Sequence, residues 1–259
     1  MSTVLSAEKI SIEFGGLRAV SDFSLTLESG ELVGLIGPNG AGKTTVFNML
    51  TGVYLPTSGD IKLAGTTLVK KAPHVINRLG VARTFQNIRL FKEMTVLENV
   101  LIAQHGRVEY SFVGGLLHLP SFHRKEREMR KEALDLLAIF HIDGKQDELA
   151  KNLPYGEQRK LEIVRALATK PKVLLLDEPA AGMNPQETND LMHLIRFVRD
   201  RFGLTILLIE HDMSLVMGIC ERITVLDYGQ TIATGTPSEI ARNPQVIKAY
   251  LGEEAEFGA

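Results

Sequence analysis

Hydrophobic and polar positions alternate with a period of two in the first thirty residues. Apolar side chains recur from Val4 to Phe14 and from Phe23 to Leu27, and glycine-containing turns separate the two runs. This alternation predicts short antiparallel strands. A continuous apolar run, ELVGLIG, then leads into the glycine-rich GPNGAGKTT and into TVFNMLTG, whose helical character stops at Gly52. That order predicts a strand, a loop and a helix.

The section of about 95–169 carries helical signals and no clear strand. Thr95 and Glu98 form a T-x-x-E capping box that predicts a helix start. A charged segment further along has apolar residues at helical spacing, namely Met129, Ala133, Leu136, Leu137 and Phe140. We therefore expect one domain of 259 residues, with a helical subdomain at about 95–169 inserted into a core of 1–94 and 170–259.

Beyond the helical section, the pattern is that of an α/β protein. KVLLLDEP and LTILLIEHD are continuous apolar runs, typical of strands buried in a parallel sheet. Between them, NPQE from Asn184 to Glu187 predicts a capped helix start, and Gly203 its end. Two more short strands and a helix capped at Thr236 follow. The predicted fold class is α/β: a central parallel sheet covered by helices, beside an N-terminal antiparallel β subdomain.

Composition narrows the function classes. A formal net charge of −2 gives no general attraction to nucleic acid. The single cysteine, Cys220, excludes an intrachain disulfide and a Cys₄ or Cys₂His₂ zinc site. No apolar run approaches the roughly 18–20 residues that span a bilayer, and the first residues do not resemble a signal peptide. We therefore expect a cytoplasmic chain that reaches a membrane only through a partner.

The glycine-rich loop fits the phosphate-binding pattern G-x-x-x-x-G-K-[ST] at every fixed position. In such a loop, backbone N–H groups surround phosphates, the lysine adds a positive charge and the last hydroxyl can ligate Mg²⁺. The candidate ATP-binding residues are Gly37, Pro38, Asn39, Gly40, Ala41, Gly42, Lys43, Thr44 and Thr45. A plain glycine-rich β–α turn is the alternative, but the flanking strand and helix favour a P-loop NTPase core of the RecA-like type.

Acidic residues follow the apolar run VLLL. Asp177 is expected to hold the water shell of Mg²⁺, as in other P-loop enzymes. Glu178 is the candidate general base for an attacking water. The alternative for both is a pair of solvated loop charges. His211, at the end of ILLIEH, either contacts the γ-phosphate and senses its loss or merely starts a helix, and the neighbouring motifs favour the first interpretation.

With these motifs in place, the chain resembles the ATP-binding cassette (ABC) family of transporter ATPases over nearly its whole length. The resemblance implies ATP and Mg²⁺ as cofactors, with Gln86 of the glutamine loop and the switch histidine His211 serving catalysis beside the general base. It implies Thr44, Gln86 and Asp177 as the metal residues. Phe14 stands where the family has an aromatic that stacks on adenine, although alone it fits a core position better.

The family's signature, usually Leu-Ser-Gly-Gly-Gln, opens a helix toward the ATP held by the opposite subunit of a head-to-tail dimer. The resemblance assigns this role to Leu153, Pro154, Tyr155, Gly156 and Glu157. Pro154 offers neither a hydroxyl nor a backbone N–H, and losing a hydrogen bond to a charged group costs about 1.5–3 kcal/mol. The D-loop at 180–184 also departs, with AGMN where Ser-Ala-Leu-Asp is usual. Whether both ATP sites of a dimer are equal stays open.

Several segments, among them YGEQRKLEIVRAL, DEPAAGMNP, LIEHDM and RTFQNIRLF, are similar to the cassettes of branched-chain amino-acid importers. The resemblance implies uptake of leucine, isoleucine and valine, with urea, other amino acids or lipopolysaccharide export as alternative cargoes. It implies a second, paralogous ATPase subunit, two transmembrane permease subunits and, indirectly, an extracytoplasmic substrate-binding protein, at the inner face of the cell membrane. Residues 87–94 either line a groove for a permease helix or form an ordinary loop.

Rival functions find less support in the residues. A soluble cassette ATPase of DNA repair would carry long heptad insertions or zinc cysteines, and one of translation would carry two cassettes. A non-hydrolysing regulatory module would not need both Glu178 and His211. A P-loop kinase would need a site for a second substrate, which the sequence does not reveal.

Overall fold

The computed structural model describes residues 2–106 and 120–256. Its strands are β1 Thr3–Phe14, β2 Leu17–Glu28, β3 Leu32–Ile36, β4 Ser58–Leu63, β5 Thr66–Thr67, β6 Val81–Arg83, β7 Val173–Asp177, β8 Thr205–Ile209, β9 Arg222–Asp227 and β10 Gln230–Gly235. Its helices are α1 Lys43–Leu50, α2 Pro73–Leu79, α3 Val96–His105, α4 Pro120–Ile139, α5 Tyr155–Ala168, α6 Pro185–Phe202, α7 Met213–Ile219, α8 Pro237–Ile240 and α9 Pro244–Glu256, with 3₁₀ turns at Asp143–Lys145 and Ala150–Asn152. Within these described ranges, no helix combines the length and apolar character that a bilayer-spanning segment needs.

Two compact units make up the chain. One contains residues 1–86 and 172–259, and the other contains residues 87–171. The organisation predicted from the sequence, a single domain with the insertion at about 95–169, stays a prediction.

The first unit is organised around a six-stranded sheet of order β10-β9-β3-β8-β7-β6. Every pair from β9 to β6 is parallel, and only β10 runs antiparallel to its neighbour. All residues of β3, β7 and β8 are buried, as their continuous apolar sequences predict for central strands of a parallel sheet. The α/β fold class is confirmed, and the carboxyl ends of these strands share one edge.

A second, antiparallel sheet has the order β2-β1-β4-β5. Strands β1 and β2 contain 12 residues each, so the prediction of short strands was wrong in length. The pairing of β1 with β2 shifts register at several points, one of them between Ala7 and Ile10, where Lys9 has a positive φ of 48°. Such bulges bend a long strand without ending it, and the sequence pattern shows only interrupted alternation.

The core of this unit lies between the two sheets and around α1. It contains apolar side chains of β1, β2, β3, β7 and β8 together with the inner face of α1. Phe23 and Phe47 are fully buried, and each such side chain contributes about 1.5–3 kcal/mol by leaving water. This packing fixes α1, and with it the loop that precedes α1, against the sheet.

The second unit contains α3, α4 and α5. Helix α3 begins at the predicted capping box, in which Thr95 accepts from the Glu98 backbone and Glu98 from the Thr95 backbone. Helix α4 buries Met129, Ala133 and Leu137, with Phe140 just beyond its end. Leu136 is half-buried. Beyond an isolated bridge between Thr95 and Leu149, the described residues of this unit contain helices and no strand, as predicted. Residues 107–119 of the predicted helical section lie outside the described residues.

Candidate functional site

The glycine-rich loop joins β3 to α1 at the carboxyl edge of the sheet. Gly37 has a φ of 151°, and a Cβ there would stand 1.9 Å from the carbonyl oxygen of Leu226. Only glycine allows this approach to the end of β9. Gly229 donates its backbone N–H to the Ala41 carbonyl at 2.9 Å, which ties the loop to the β9–β10 turn. These two contacts hold the loop against the carboxyl end of β9 and the turn that follows it.

Lys43, the first residue of α1, is buried inside this loop. Its Nζ donates to the carbonyl oxygens of Gly37 at 2.6 Å and Pro38 at 2.8 Å. The backbone therefore curls around the ammonium group, and the positive end of α1 lies at the same point. Thr44 is exposed and Thr45 is half-buried. A cationic loop at a helix N-terminus is suited to bind phosphate.

Asp177, the last residue of β7, is held by an arginine that the sequence analysis did not single out. Its Oδ2 accepts a hydrogen bond from Arg83 Nη2 at 2.6 Å, and both side chains are 7% exposed. Arg83 Nη1 also donates to Asn48 Oδ1 on α1 at 2.7 Å. The arginine thereby links the carboxylate to the helix of the phosphate loop. Because Arg83 and Asp177 lie far apart in sequence, no local pattern indicates this pair.

The three predicted catalytic residues lie together, because Gln86 and His211 both approach the Glu178 carboxylate. Its Oε2 accepts from Gln86 Nε2 at 2.6 Å and lies 3.5 Å from His211 Nδ1. The Glu178 backbone has a positive φ of 44°, which costs roughly 1–3 kcal/mol for a residue with a side chain. A hydrogen bond from the Glu178 N–H to the Ile209 carbonyl at 2.9 Å stabilises this conformation.

Glu210 is a second residue that the sequence analysis missed. Its side chain is fully buried, and it accepts backbone hydrogen bonds from Ala180 at 2.7 Å, His211 at 3.1 Å and Asp212 at 3.4 Å. Burial raises the pKa of the Glu210 carboxyl, although these amide donors act in the opposite direction. Glu210 connects the segment after β7 to the segment after β8, and so helps to position His211.

Phe14 does not occupy the core position that its own sequence context favours. It is 44% exposed, and its ring meets the ring of Tyr54 edge-on with centroids 5.2 Å apart. An exposed aromatic face supported by a second aromatic ring is available for stacking with a planar ligand.

The signature segment lies in the second unit, at the start of α5. Leu153 is buried, whereas Pro154 and Tyr155 are exposed. Pro154 is the N-cap residue, and no side chain in the described ranges caps the helix. Glu157 pairs with Lys145 Nζ at 2.6 Å. The carboxylate that replaces the family's glutamine thus has a partner inside its own unit.

A buried ion pair lies one turn further along α5, and the sequence analysis missed this pair too. Arg159 Nη1 donates to Glu162 Oε2 at 2.7 Å, and the two side chains are 1% and 6% exposed. Gln158 Nε2 donates to the Leu153 carbonyl at 2.8 Å, which fixes the turn before the helix.

The first unit offers oxygen donors of the kind that magnesium binds. Among the described residues, no group of three or more His, Cys, Asp or Glu side chains could hold a metal ion. Magnesium usually takes one or two protein ligands and completes its shell with water and substrate phosphates. Thr44 and Asp177 supply donors of that type, and the exposed Gln86 supplies an amide oxygen.

Two family models match the chain, and together they cover parts of the first unit and the whole of the second. The model described as "ABC transporter" matches residues 20–181, and the model described as "Branched-chain amino acid ATP-binding cassette transporter" matches residues 230–256. The second match covers β10, α8 and α9.

Individual relatives agree with these models. The chain is 50% identical to the high-affinity branched-chain amino acid transport ATP-binding protein BraF of Pseudomonas aeruginosa, over 96% of this chain and 98% of that protein. It is 51% identical, with the same coverage, to the corresponding protein LivG of Escherichia coli. The crystal structure of the ADP conformation of MJ1267, an ATP-binding cassette of an ABC transporter, matches with a TM-score of 0.85 and 32% identity, over 97% of this chain and 100% of that one. The chain therefore belongs to the ATP-binding cassette transporter family, within the group of branched-chain amino acid transport ATP-binding proteins.

Proposed function

We propose that this chain is the ATP-hydrolysing subunit of an importer that takes up leucine, isoleucine and valine through partner membrane subunits. The observation that carries the ATPase activity is the convergence of Gln86 and His211 on Glu178, at the sheet edge that also bears the phosphate loop. The assignment of branched-chain amino acids as the cargo rests on sequence identity: about half of all residues are identical to those of BraF and LivG, over nearly the full length of each chain.

ATP binds along the edge formed by the phosphate loop and Phe14. The adenine ring stacks on the exposed face of Phe14, while the β- and γ-phosphates meet the backbone N–H groups of residues 37–45 and the Lys43 ammonium. Lys43 then exchanges its bonds to the Gly37 and Pro38 carbonyls for bonds to phosphate oxygens. Because those carbonyls hold the ammonium in place beforehand, little conformational freedom is lost on binding.

Thr44, Asp177 and Gln86 would hold Mg²⁺ together with the nucleotide. Bound there, the metal neutralises charge that develops on the phosphate oxygens. Glu178 accepts a proton from the attacking water, while Gln86 and His211 keep its carboxylate and the water oriented. A residue in this general-base role contributes typically about 10²–10⁴ in rate.

A second cassette completes each site. In this proposal, residues 153–157 of one subunit face the γ-phosphate held by the other, and the exposed start of α5 supplies backbone amides in place of the family's serine. The second cassette is a paralogous chain, and the pair couples to two transmembrane permease subunits at the inner face of the membrane through residues 87–94. A substrate-binding protein outside the membrane delivers the amino acid.

The test is ATP turnover and leucine uptake by the complete transporter reconstituted in vesicles, with Glu178→Gln in this subunit and the general base of the paralogous subunit replaced in the same way, so that the second ATP site does not supply the turnover. We expect the variant to bind ATP with unchanged affinity and to lose at least about 10²-fold in turnover. Lys43→Ala serves as the matched control, since it should weaken ATP binding itself. Normal hydrolysis by the Glu178→Gln transporter would show that Glu178 is not the base. If the unmodified transporter hydrolyses ATP but takes up no leucine, the ATPase assignment stands and the assigned cargo is refuted.

A further inference from the structure

Arg83 is a charged side chain at the sheet edge that several contacts hold in place, and the proposed reaction does not use it. It donates to Asp177 and to Asn48, and its guanidinium carbon lies 5.4 Å from the Phe47 ring centroid and 5.0 Å from the Phe85 ring centroid. Within the described part of the chain, its buried Nε has no hydrogen-bond partner. Two aromatic rings and two acceptors thus fix one orientation of the guanidinium group.

The carboxylate that Arg83 holds is the proposed magnesium residue. Asp177 ends a strand buried on both faces, and an ionised carboxylate in such a position needs a counter-charge. Arg83 supplies that charge when no metal is present. One oxygen, Oδ2, is already engaged by the arginine.

A cation that arrives at Asp177 therefore meets a carboxylate that is already paired. The Arg83 charge opposes the approach of Mg²⁺ by Coulomb repulsion, and it shares the carboxylate on which the metal's water shell depends. Removing this charge while keeping Asp177 ionised should strengthen the contribution of Mg²⁺ to nucleotide binding.

Building on the proposed function, we propose that Arg83 is a positioning residue that serves as the resident counter-charge of Asp177, and that Mg²⁺ competes with it. The arginine makes the nucleotide-free fold independent of the metal, at the cost of a weaker response to Mg²⁺. The chain can then release the metal with its nucleotide without leaving a bare buried carboxylate.

The test is calorimetric titration of the purified full chain with a non-hydrolysable ATP analogue, in Mg²⁺ and in EDTA. The readout is the ratio of the dissociation constant in EDTA to that in Mg²⁺. We expect this ratio to rise about tenfold in Arg83→Met, within the usual range of coupling between two sites. Arg83→Lys keeps the charge and should stay close to the unmodified ratio, which a loss of packing alone would not explain.

Arg222→Met is the matched control, because it removes an arginine whose Nε lies 2.7 Å from a Glu31 carboxylate oxygen at the opposite end of the parallel strands. Its ratio should not change. If Arg83→Met does not fold, Arg83→Gln gives the same comparison, since its neutral amide can still donate to Asp177. An unchanged or lower ratio in the neutral Arg83 variants overturns the proposal. Failure of the unmodified chain to bind the analogue at all would count against the proposed function instead.

Discussion

Replacing Glu210 by alanine tests whether this buried carboxylate holds together the two segments that carry Glu178 and His211. The side chain accepts backbone hydrogen bonds at 2.7 Å from Ala180 and at 3.1 Å from His211, whereas the third, at 3.4 Å, is too long to count fully. Together the two hydrogen bonds contribute about 1–3 kcal/mol when the carboxyl is protonated and about 3–6 kcal/mol when it is ionised.

The burial of the carboxylate offsets part of that stabilisation. Taking a charge out of water costs several kcal/mol even in a relaxed site, and burial is the main reason that the pKa of Glu210 is raised. We therefore expect Glu210→Ala to lower the free energy of unfolding by about 2–4 kcal/mol, a large share of a typical total of about 5–15 kcal/mol. ATP turnover should fall as well, because the backbone of His211 loses its acceptor.

The pH dependence of this destabilisation has a definite sign. Because the pKa is raised above the ordinary value of 4.5, the folded chain keeps a proton that the unfolded chain releases when the pH lies between the unfolded-state and folded-state pKa values. The stabilising contribution of the group is therefore complete below about pH 4.5 and declines as the pH rises through the folded-state pKa. The difference in unfolding free energy between the unmodified chain and Glu210→Ala should therefore be larger at pH 5 than at pH 8.

The assay is urea unfolding followed by far-UV circular dichroism, since the chain contains no tryptophan. Glu93→Ala is the control, because Glu93 pairs with Lys151 at an exposed position, where an ion pair contributes only about 0–1 kcal/mol. If Glu210→Ala costs no more than this control, or if its cost grows between pH 5 and pH 8, the stabilising role of the Glu210 carboxylate is refuted.

Two further predictions concern backbone geometry. Gly37→Ala should abolish ATP binding or folding, because the new Cβ would clash with the carbonyl of Leu226. Gly40→Ala should lower the free energy of unfolding by only about 1–2 kcal/mol, since Gly40 has a positive φ but no atom near the position of a Cβ. ATP titration and thermal melting of both variants test this difference. Thr95→Ala removes one half of the capping box with Glu98 and should lower the unfolding free energy by about 0.5–2 kcal/mol in urea, so an unchanged midpoint would contradict the cap.

Local signals in the sequence predicted the elements well. The capping boxes at Thr95, Asn184 and Thr236 are all formed as their spacing predicts, and α6 ends at Gly203. These signals act within a few residues, so a sequence pattern contains both partners. The phosphate loop is of the same kind, because its strand, glycines and helix are consecutive.

Contacts between distant residues could not be predicted from the pattern. The bulges of β1 arise in its pairing with β2 and β4, and the ring that Phe14 contacts belongs to Tyr54, which follows α1. The buried partner of Asp177 comes from β6, and that of Ala180 from the segment just after β8. Periodicity reports that a residue lies on a buried face, but it does not report which residue lies opposite.

The missing information at the candidate site is the order of three strands. Once β6, β7 and β8 are known to be neighbours in parallel register, with Arg83 beside Leu175 and Asp177 beside Ile209, the rest follows. The residues just past β6 and β8 must then lie beside those just past β7. Gln86, Glu210 and His211 occupy these positions, and each contacts the segment after β7, while Arg83, the last residue of β6, holds Asp177. The chemistry at this edge is therefore a consequence of strand order, and moving β7 to another place in the sheet would separate every one of these pairs.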